Sequence, residues 1–300
     1  MAGNRRKFLK DLATAGAGVL FFAGSDSPRN DKLFFDISLA EWSLHRKLFN
    51  NEMTNLDFPI MARDQFGIHA VEYVSTFFKN TKLQYLADLR DTTVNEGIDN
   101  VLIMVDGEGN LGATDSKERN QAVENHFKWI EAAKYLGCQT IRVNARGEGT
   151  KEEVAQAAID GLGSLSERAA KDGINVVVEN HGGYSSNGQW MSNVIKQVDM
   201  PNCGTLPDFG NFNISENESY DRYKGIKELM PYAKGVSAKT YDFDENGNET
   251  SMDFYRIMKI VKQASYRGYV GIEYEGSRLS EEEGIIATKK LLERVGKRLS

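Results

Sequence analysis

The 300-residue sequence is poor in cysteine and histidine and has no excess of basic charge. Two cysteines cannot build a disulfide framework, and four histidines limit any metal site made mainly of imidazoles. The 37 lysines and arginines are outnumbered by 43 acidic residues, for a net charge of -6. This balance argues against a protein that grips nucleic-acid phosphates through clustered basic side chains. No apolar run reaches the roughly 18 residues that a membrane span requires, so we expect no stable membrane anchor.

The first 30 residues differ from the rest of the chain. Residues 4–10 read Asn-Arg-Arg-Lys-Phe-Leu-Lys, which resembles the twin-arginine export signal. The apolar stretch Leu12–Ala23 that follows is typical of the middle of a signal peptide and too short to span a bilayer. We therefore predict a signal segment at 1–30, recognition by the twin-arginine export machinery and a periplasmic or other extracytoplasmic location. An amphipathic N-terminal helix with a chance pair of arginines is the alternative.

From residue 31 onward, eight short apolar runs alternate with longer segments of helical periodicity. The runs are Leu33–Leu39, Ile68–Val74, Asn100–Val105, Gln139–Asn144, Ile174–Glu179, Gly204–Asp208, Gly235–Lys239 and Tyr269–Glu273. The helical pattern is clearest in Ser116–Leu136, Lys151–Lys171, Asp253–Tyr266 and Glu281–Leu299. This alternation is typical of βαβ units with a parallel sheet. Eight units predict an α/β fold, a single-domain (β/α)8 TIM barrel over residues 31–300. An open doubly wound sheet is the alternative, but no glycine-rich fingerprint follows the first run.

The helix starts carry recognisable capping residues. Ser116, Thr150 and Ser280 are predicted N-caps. The last two are followed three residues later by Glu153 and Glu283, which predicts a capping box at each of these two helices.

Acidic residues lie at the ends of three of the predicted strands. Glu179 follows three valines, Asp208 ends the sixth run and Glu273 ends the eighth. A buried carboxylate needs a cation or hydrogen-bond donors, and active sites of such barrels lie at the carboxyl ends of the strands. We therefore expect the three acids to share a metal ion, although each alone could serve in an ion pair or as a helix N-cap. Two-residue alternation turns His181 the same way as Glu179, and oxygen ligands with one imidazole favour Mn²⁺, with Mg²⁺ or Co²⁺ as alternatives.

The residues at the strand ends carry a resemblance to a known family. Residues 33–298 resemble the xylose isomerase-like barrel superfamily, and within it the sugar isomerases and epimerases. The resemblance implies a divalent ion held by Glu179, Asp208 and Glu273, with a histidine on the seventh strand as a fourth ligand. It also implies that Glu179 and Glu273 act as a paired catalytic acid and base. Ser237 stands where that histidine is expected, so either His181 supplies the imidazole, or water completes the shell, or metal binding is weakened or lost.

Other polar and aromatic residues near the predicted strand ends are candidates for substrate contact. Lys239 is a third candidate catalytic residue, since its ammonium group could hold a substrate oxygen or stabilise a developing enolate. The predicted substrate-binding residues are Trp42, His45, Glu72, Asn144 and Asn211, and Arg142 and Tyr184 are further candidates for the pocket. The segments Asp106–Gly109 and Asp242–Glu249 are interpreted as solvated loops.

The resemblance implies a metal-dependent enzyme that transfers a proton next to a carbonyl through an enediolate. Because export separates the chain from cytoplasmic sugar phosphates, a free keto-sugar or an oxidised glycoside is the expected substrate. A lyase that eliminates the aglycone of a 3-keto-glycoside is one alternative, and a non-catalytic periplasmic sugar-binding barrel is another. An endonuclease of the same superfamily is disfavoured because it needs many histidines and a basic face. Whether the chain forms a homo-oligomer stays open.

Overall fold

The structure, a computed structural model, describes residues 33–300. Eight parallel strands form its centre: β1 Asp36–Ala40, β2 Ala70–Val74, β3 Asp99–Met104, β4 Thr140–Val143, β5 Asn175–Glu179, β6 Cys203–Leu206, β7 Val236–Thr240 and β8 Tyr269–Tyr274. The helices are α1 His45–Phe49, α2 Phe58–Phe66, α3 Leu83–Glu96, α4 Ser116–Asn125, α5 Phe127–Leu136, α6 Lys151–Ala170, α7 Gly188–Val198, α8 Arg222–Leu229, α9 Phe254–Gln263 and α10 Glu281–Leu299. A two-stranded hairpin, Asn213–Ser215 with Glu218–Ser219, follows β6.

The sheet closes on itself. Its hydrogen-bonded order is β6-β5-β4-β3-β2-β1-β8-β7, and the gap between β6 and β7 is bridged just beyond the end of β6. There the Ser237 amide donates to the Pro207 carbonyl at 3.0 Å and the Phe209 amide donates to the Ser237 carbonyl at 3.1 Å. The predicted (β/α)8 TIM barrel is therefore confirmed, with all eight strands in the predicted places.

The strands are buried on both faces, as continuous apolar runs require. The larger core lies between sheet and helices. A second apolar cluster lies on the inner face of the barrel, where alternate residues of the strands point inward. It consists of Ala40, Val74, Leu102, Met104, Val177 and Leu206. Above this apolar layer, the next inner positions of β5 and β8 carry Glu179 and Glu273. The alternation of each strand therefore aims these two carboxylates into the barrel.

Glycines on β8 and just before β7 make room inside the barrel. A Cβ atom at Gly271 would lie 2.6 Å from the Glu72 carboxylate, and one at Gly235 would lie 2.7 Å from a Leu206 methyl group. A larger residue at either position would displace these side chains from the crowded inner face.

Several element boundaries differ from the predictions. The helix predicted over Ser116–Leu136 is divided at His126, whose Nδ1 lies 2.7 Å from the Ala122 carbonyl oxygen and so competes for a helical acceptor. The predicted sixth strand ends at Leu206, because Pro207 has no N–H for a ladder hydrogen bond. The first strand begins at Asp36 rather than at residue 33.

The predicted helix caps are partly confirmed. Capping boxes are present at Thr150 with Glu153 and at Ser280 with Glu283. The prediction for Ser116 is wrong, since Asp115 is the N-cap of α4.

Three further features concern the cysteines, membrane spans and the export signal. Cys138 and Cys203 are free and buried, and no helix within residues 33–300 is long and apolar enough to cross a membrane. The predicted signal at 1–30 lies outside the described residues and stays a prediction.

Candidate functional site

Three carboxylates from three strands meet at the carboxyl end of the barrel. Within residues 33–300, Glu179, Asp208 and Glu273 form a group in which one oxygen from each lies within 4.8 Å of the others. Their exposed fractions are 1%, 0% and 5%. Three acids crowded in this way repel one another unless cations, protons or hydrogen-bond donors compensate their charge.

An amide side chain fixes the position of Asp208 relative to Glu179. Asn180 donates to the Asp208 carbonyl oxygen at 2.9 Å and accepts from the Asp208 amide at 2.8 Å. The Asp208 Oδ1 atom accepts two backbone N–H groups, from Gly210 and Asn211, at 2.7 Å each. Asn211 also donates its side-chain amide to Glu179 Oε1 at 3.0 Å. The loops after β5 and β6 are thus held together, and Asn211, predicted to bind substrate, holds two of the acids.

Two buried cations compensate part of the negative charge. Lys239 Nζ lies 3.2 Å from Glu273 Oε1 and 3.7 Å from Asp208 Oδ2, and Arg142 Nε lies 2.9 Å from Glu179 Oε2. Burial by itself would lower the pKa of Lys239, but the surrounding carboxylates raise it well above its ordinary value. Lys239 is only 1% exposed, so its ammonium group holds the carboxylates and is turned away from solvent. The contacts of Lys239 with Glu273 and Asp208 fix the position of these acids, and direct contact of Lys239 with substrate stays a prediction.

The three acids have different protonation tendencies. Burial raises the pKa of Glu179 to about 7, against the lowering effect of Arg142, and burial likewise raises the pKa of Asp208 to about 7, against Lys239. Burial also pushes the pKa of Glu273 upward, but Lys239 and the Ser237 hydroxyl outweigh it and leave that pKa below its ordinary value. Glu273 is therefore the acid held most firmly as an anion.

Ser237 lies between two of the acids, at the place where the resemblance implies a histidine ligand. Its hydroxyl oxygen is 2.9 Å from Asp208 Oδ2 and 2.8 Å from Glu273 Oε2. The hydroxyl has one proton to donate, so both contacts are hydrogen bonds only when one carboxyl group carries a proton. A cation placed among these oxygens would replace that proton. The donor set of three buried carboxylates without imidazole or thiolate suits a hard divalent ion, and Glu179, Asp208 and Glu273 could hold one.

His181 does not join the acids as a ligand. Arg146 donates to the His181 carbonyl at 2.9 Å, and its guanidinium lies 3.2 Å from His181 Nδ1. Arginine has no acceptor, so Nδ1 accepts and the neutral ring carries its proton on Nε2. In this arrangement Nδ1 is occupied by the contact with Arg146. The ligand atoms that converge within residues 33–300 belong to Glu179, Asp208 and Glu273, and the His181 ring is not among them.

Trp42 and His45 lie together at the rim of the barrel. The Trp42 indole N–H donates to Glu275, whose other oxygen lies 3.2 Å from Lys239 Nζ. His45 stacks on Trp42 with ring centroids 5.2 Å apart, and its Nδ1 donates to the Trp42 carbonyl oxygen at 2.8 Å. Trp42 therefore reaches Glu275 at the rim and His45 packs against the Trp42 ring, while the predicted contact of both residues with substrate stays a prediction.

Glu72 lies inside the barrel beside Gly271, two residues before Glu273 on β8, and its predicted contact with substrate stays a prediction. It is 2% exposed, with one oxygen accepting from the Ser38 hydroxyl at 2.5 Å and Oε2 without a hydrogen-bond partner. Burial raises the pKa of Glu72 to about 8. Burial thus favours the neutral form of this carboxyl group, which lies inside the barrel, below the three acids.

The sequence reasoning missed two acids at the rim. Asp106 was interpreted as part of a solvated loop, but its Oδ1 accepts from Arg142 and from Asn144, at 2.8 Å each. Asn144 is thus bound to Asp106 at the rim, and its predicted contact with substrate stays a prediction. Both missed acids had a positional signal: Asp106 comes two residues after β3 ends, and Glu275 lies two residues after Glu273 on the same side of the chain.

A large cavity lies away from this chemistry. It measures about 630 Å³ and is bordered by the segment 248–255 and by α10 residues such as Arg294 and Arg298. None of the three acids lines it. The converging carboxylates at the carboxyl ends of the strands are the better indicator of the functional site, because that is where barrels of this kind place their chemistry.

Comparisons with known proteins show which family the chain belongs to and which proteins share its fold. A C-glycoside deglycosidase alpha subunit from Arthrobacter globiformis is 44% identical over 66 residues, which cover 21% of this chain and 19% of that protein. The IOLI protein, solved with a zinc atom, has a TM-score of 0.69 at 18% identity, over 88% of this chain and 99% of its own. The 3-keto-D-glucoside 4-epimerase of E. coli has a TM-score of 0.61 at 16% identity, over 87% and 99%. The sequence profile of the family described as xylose isomerase-like TIM barrel matches residues 62–295, and the chain belongs to that family.

Proposed function

We propose that this chain is a divalent-metal-dependent sugar isomerase or epimerase that moves a proton at a carbon next to a carbonyl. The observation that carries the proposal is the convergence of Glu179 and Glu273, from β5 and β8, on a site shared with Asp208. Two carboxyl groups that reach one substrate carbon from different strands can remove and return a proton on different faces. The names of two similar proteins, a keto-glucoside epimerase and a C-glycoside deglycosidase, support a sugar substrate.

The position of each residue determines its role in the proposed reaction. One glutamate takes the proton from the carbon and the other returns it, to the opposite face for epimerisation or to the neighbouring carbon for isomerisation. Asp208 completes the set of oxygen ligands. The two cations fix the positions of the glutamates, since Lys239 pairs with Glu273 and Arg142 pairs with Glu179. A divalent ion held by the three acids, with Mn²⁺ favoured over Mg²⁺ or Co²⁺, would polarise the carbonyl as a Lewis acid.

The substrate proposed is a free keto-sugar or an oxidised glycoside. This choice of substrate rests on a second proposal, that the twin-arginine motif in residues 4–10 directs the chain to an extracytoplasmic compartment. Sugar phosphates are confined to the cytoplasm, so an exported enzyme would meet unphosphorylated sugars.

A lyase is the second candidate, and the deglycosidase relative favours it. In a 3-keto-glycoside, removal of the proton at C2 lets the electron pair form a C1–C2 double bond. The bond from C1 to the aglycone then breaks, and the aglycone leaves with that bonding pair and takes up a proton. The same glutamates could serve as base and acid.

Deuterium exchange tests the proposal. Purified protein loaded with Mn²⁺ is incubated in D₂O with free ketohexoses and with methyl 3-keto-β-D-glucopyranoside, and NMR follows the exchanged C–H. We expect exchange in the wild type and a loss of roughly 100-fold or more in Glu179→Gln and in Glu273→Gln. Glu282→Gln, on α10, is the matched control and should keep the wild-type rate.

The products distinguish the candidates. An epimer or an aldose–ketose pair supports the first proposal, and release of methanol supports the lyase. Exchange that persists in both glutamine variants would contradict the two-carboxylate mechanism. Sugar binding by the metal-loaded protein without exchange or product would instead identify the non-catalytic barrel.

A further inference from the structure

Three aromatic rings form a continuous apolar surface at the rim of the barrel. We call Trp42, Phe49 and Phe77 the aromatic wall. The Trp42 ring lies 6.0 Å from Phe49 and 5.8 Å from Phe77, and the last two rings are 5.2 Å apart, measured between centroids. All three follow the carboxyl ends of β1 and β2, so the wall faces the same end of the barrel as the acids.

The aromatic wall is connected to the acids through direct contacts. Trp42 donates to Glu275, and Lys239 Nζ lies 3.2 Å from both Glu275 and Glu273. One end of the wall is therefore linked through Glu275 and Lys239 to Glu273, one of the proposed catalytic acids. The wall is the aromatic surface to which this chain of contacts leads from the acids.

Exposure increases outward along the wall. Trp42 and Phe77 are half-buried, while Phe49 is 56% exposed. The other large, exposed apolar side chains within residues 33–300 are Leu83, Val94 and Ile286, which lie on the outer helices α3 and α10. Phe49 is thus the member of this exposed set that lies beside the site, and it meets the rings of Trp42 and Phe77 edge-to-face. Its exposure is therefore part of a three-ring surface and not that of an isolated side chain.

The wall has no free polar group for a second sugar. The two phenylalanines have no hydrogen-bonding atoms, and the indole N–H of Trp42 is already bonded to Glu275. Sugar hydroxyl groups left without partners there would pay a desolvation cost. A flat apolar ring would instead gain edge-to-face or offset-stacked contacts with three rings at once.

We propose that the aromatic wall is a subsite for an aryl aglycone, so that the natural substrate is an aromatic glycoside. This inference rests on the proposed function for the position of the sugar at the acids. It adds the chemical class of the group that the sugar carries.

Binding tests the aryl subsite without any need for turnover. Trp129 and Trp190 are 5% and 4% exposed, so quenching of tryptophan fluorescence by 4-nitrophenyl β-D-glucopyranoside should report mainly on Trp42. The methyl β-D-glucopyranoside is the matched probe without the ring, measured by competition. We expect the aryl glycoside to bind at least tenfold more tightly than the methyl glycoside.

Variants of the aromatic wall test whether the aryl group of the glycoside binds there. Phe49→Ala and Phe77→Ala should weaken binding of the aryl glycoside by roughly five- to tenfold and leave binding of the methyl glycoside unchanged. Trp42→Phe should remove most of the quenching signal. Leu83→Ala, which removes an exposed apolar side chain on the outer helix α3, is the control and should bind both probes as the wild type does.

Two results would overturn the inference. One is equal affinity for the aryl and methyl glycosides, or an aryl affinity that Phe49→Ala does not change. The other is a subunit contact: sedimentation velocity showing a dimer that Phe49→Ser dissociates, with aryl binding unaffected. Because these readouts measure binding, they stand even if deuterium exchange fails and the proposed function is wrong.

Discussion

At the scale of single residues, Ser237 decides how the acids are compensated. Its hydroxyl contacts both Asp208 and Glu273, and Lys239 approaches the same two acids. A histidine at this position would add an imidazole ligand to three carboxylates. A serine provides one proton and a weak oxygen donor, so this chain depends on its carboxylates for any affinity toward a cation.

Replacing Ser237 tests this dependence. Ser237→His should tighten Mn²⁺ binding by roughly tenfold or more, since an imidazole is a common ligand for such ions. Isothermal titration calorimetry with MnCl₂ measures the change. Ser237→Ala is the control, because it removes the hydroxyl without adding a ligand. Binding to Ser237→His that is no tighter than to Ser237→Ala would contradict the placement of this position beside the metal.

At the scale of the element, the N-cap of α4 lies one residue before the position predicted from the sequence. The helical pattern begins at Ser116, yet the Asp115 side chain accepts the backbone N–H groups of Lys117 and Glu118, at 2.9 Å each. The N-cap is the last non-helical residue, and a carboxylate there also meets the positive end of the helix dipole. Neighbouring Asp and Ser residues are both good caps, so only the backbone geometry separates them.

A pair of alanine substitutions tests the assignment. Asp115→Ala should lower the free energy of unfolding by about 1 kcal/mol, because two N–H groups lose their acceptor. Ser116→Ala, at an exposed position of the first turn, should change it by no more than about 0.5 kcal/mol. Urea unfolding of both variants gives the comparison, and a larger loss in Ser116→Ala would favour the cap predicted from the sequence.

At the scale of the whole molecule, the barrel buries more carboxyl groups than the site uses. Glu41 is 0% exposed, accepts from the Asn55 side chain and the Val74 amide at 2.9 Å each, and links the segment after β1 to the end of β2. Burial raises the pKa of Glu41 to about 8, against these two hydrogen bonds. Folding therefore favours its protonated form.

This shift makes stability depend on pH in a defined direction. Because the folded pKa is raised, the contribution of Glu41 is fully present below the unfolded value of about 4.5 and is lost as the pH rises through about 8. The stability of Glu41→Gln relative to the wild type should therefore increase between these values, by roughly a few kcal/mol. Chemical unfolding at several pH values measures the difference, and Glu124→Gln at an exposed position of α4 is the control. A difference that stays constant with pH would contradict the shift.

Much of the fold was predictable because its signals are local. Eight apolar runs separated by helical patterns specify a parallel sheet covered on both faces. Each capping box, the one at Thr150 and the one at Ser280, is formed within four consecutive residues. The division of the helix at His126 was not predictable, because it depends on an imidazole that competes for the Ala122 carbonyl.

The candidate site was predictable in part for the same reason. Strand alternation and strand ends are sequence properties, so Glu179, Asp208 and Glu273 could be named before their positions were known. Asp106 was misinterpreted, because its partner Arg142 lies on the neighbouring strand, 36 residues later. The direction of His181 was also beyond reach, since it depends on where β5 ends and on Arg146.

The sequence by itself determined the alternation of strands and helices and the residues that stand at the strand ends, because hydrophobic period and chain position are encoded locally. Only the tertiary structure decided which of those residues form ion pairs and hydrogen bonds with one another. Lys239 and Arg142 are paired with the acids, Trp42 is bonded to Glu275, and Glu72 accepts a hydrogen bond from Ser38 beneath them. Such pairings join residues distant in the chain, and the low dielectric of the barrel interior makes each of them strong enough to set protonation and orientation.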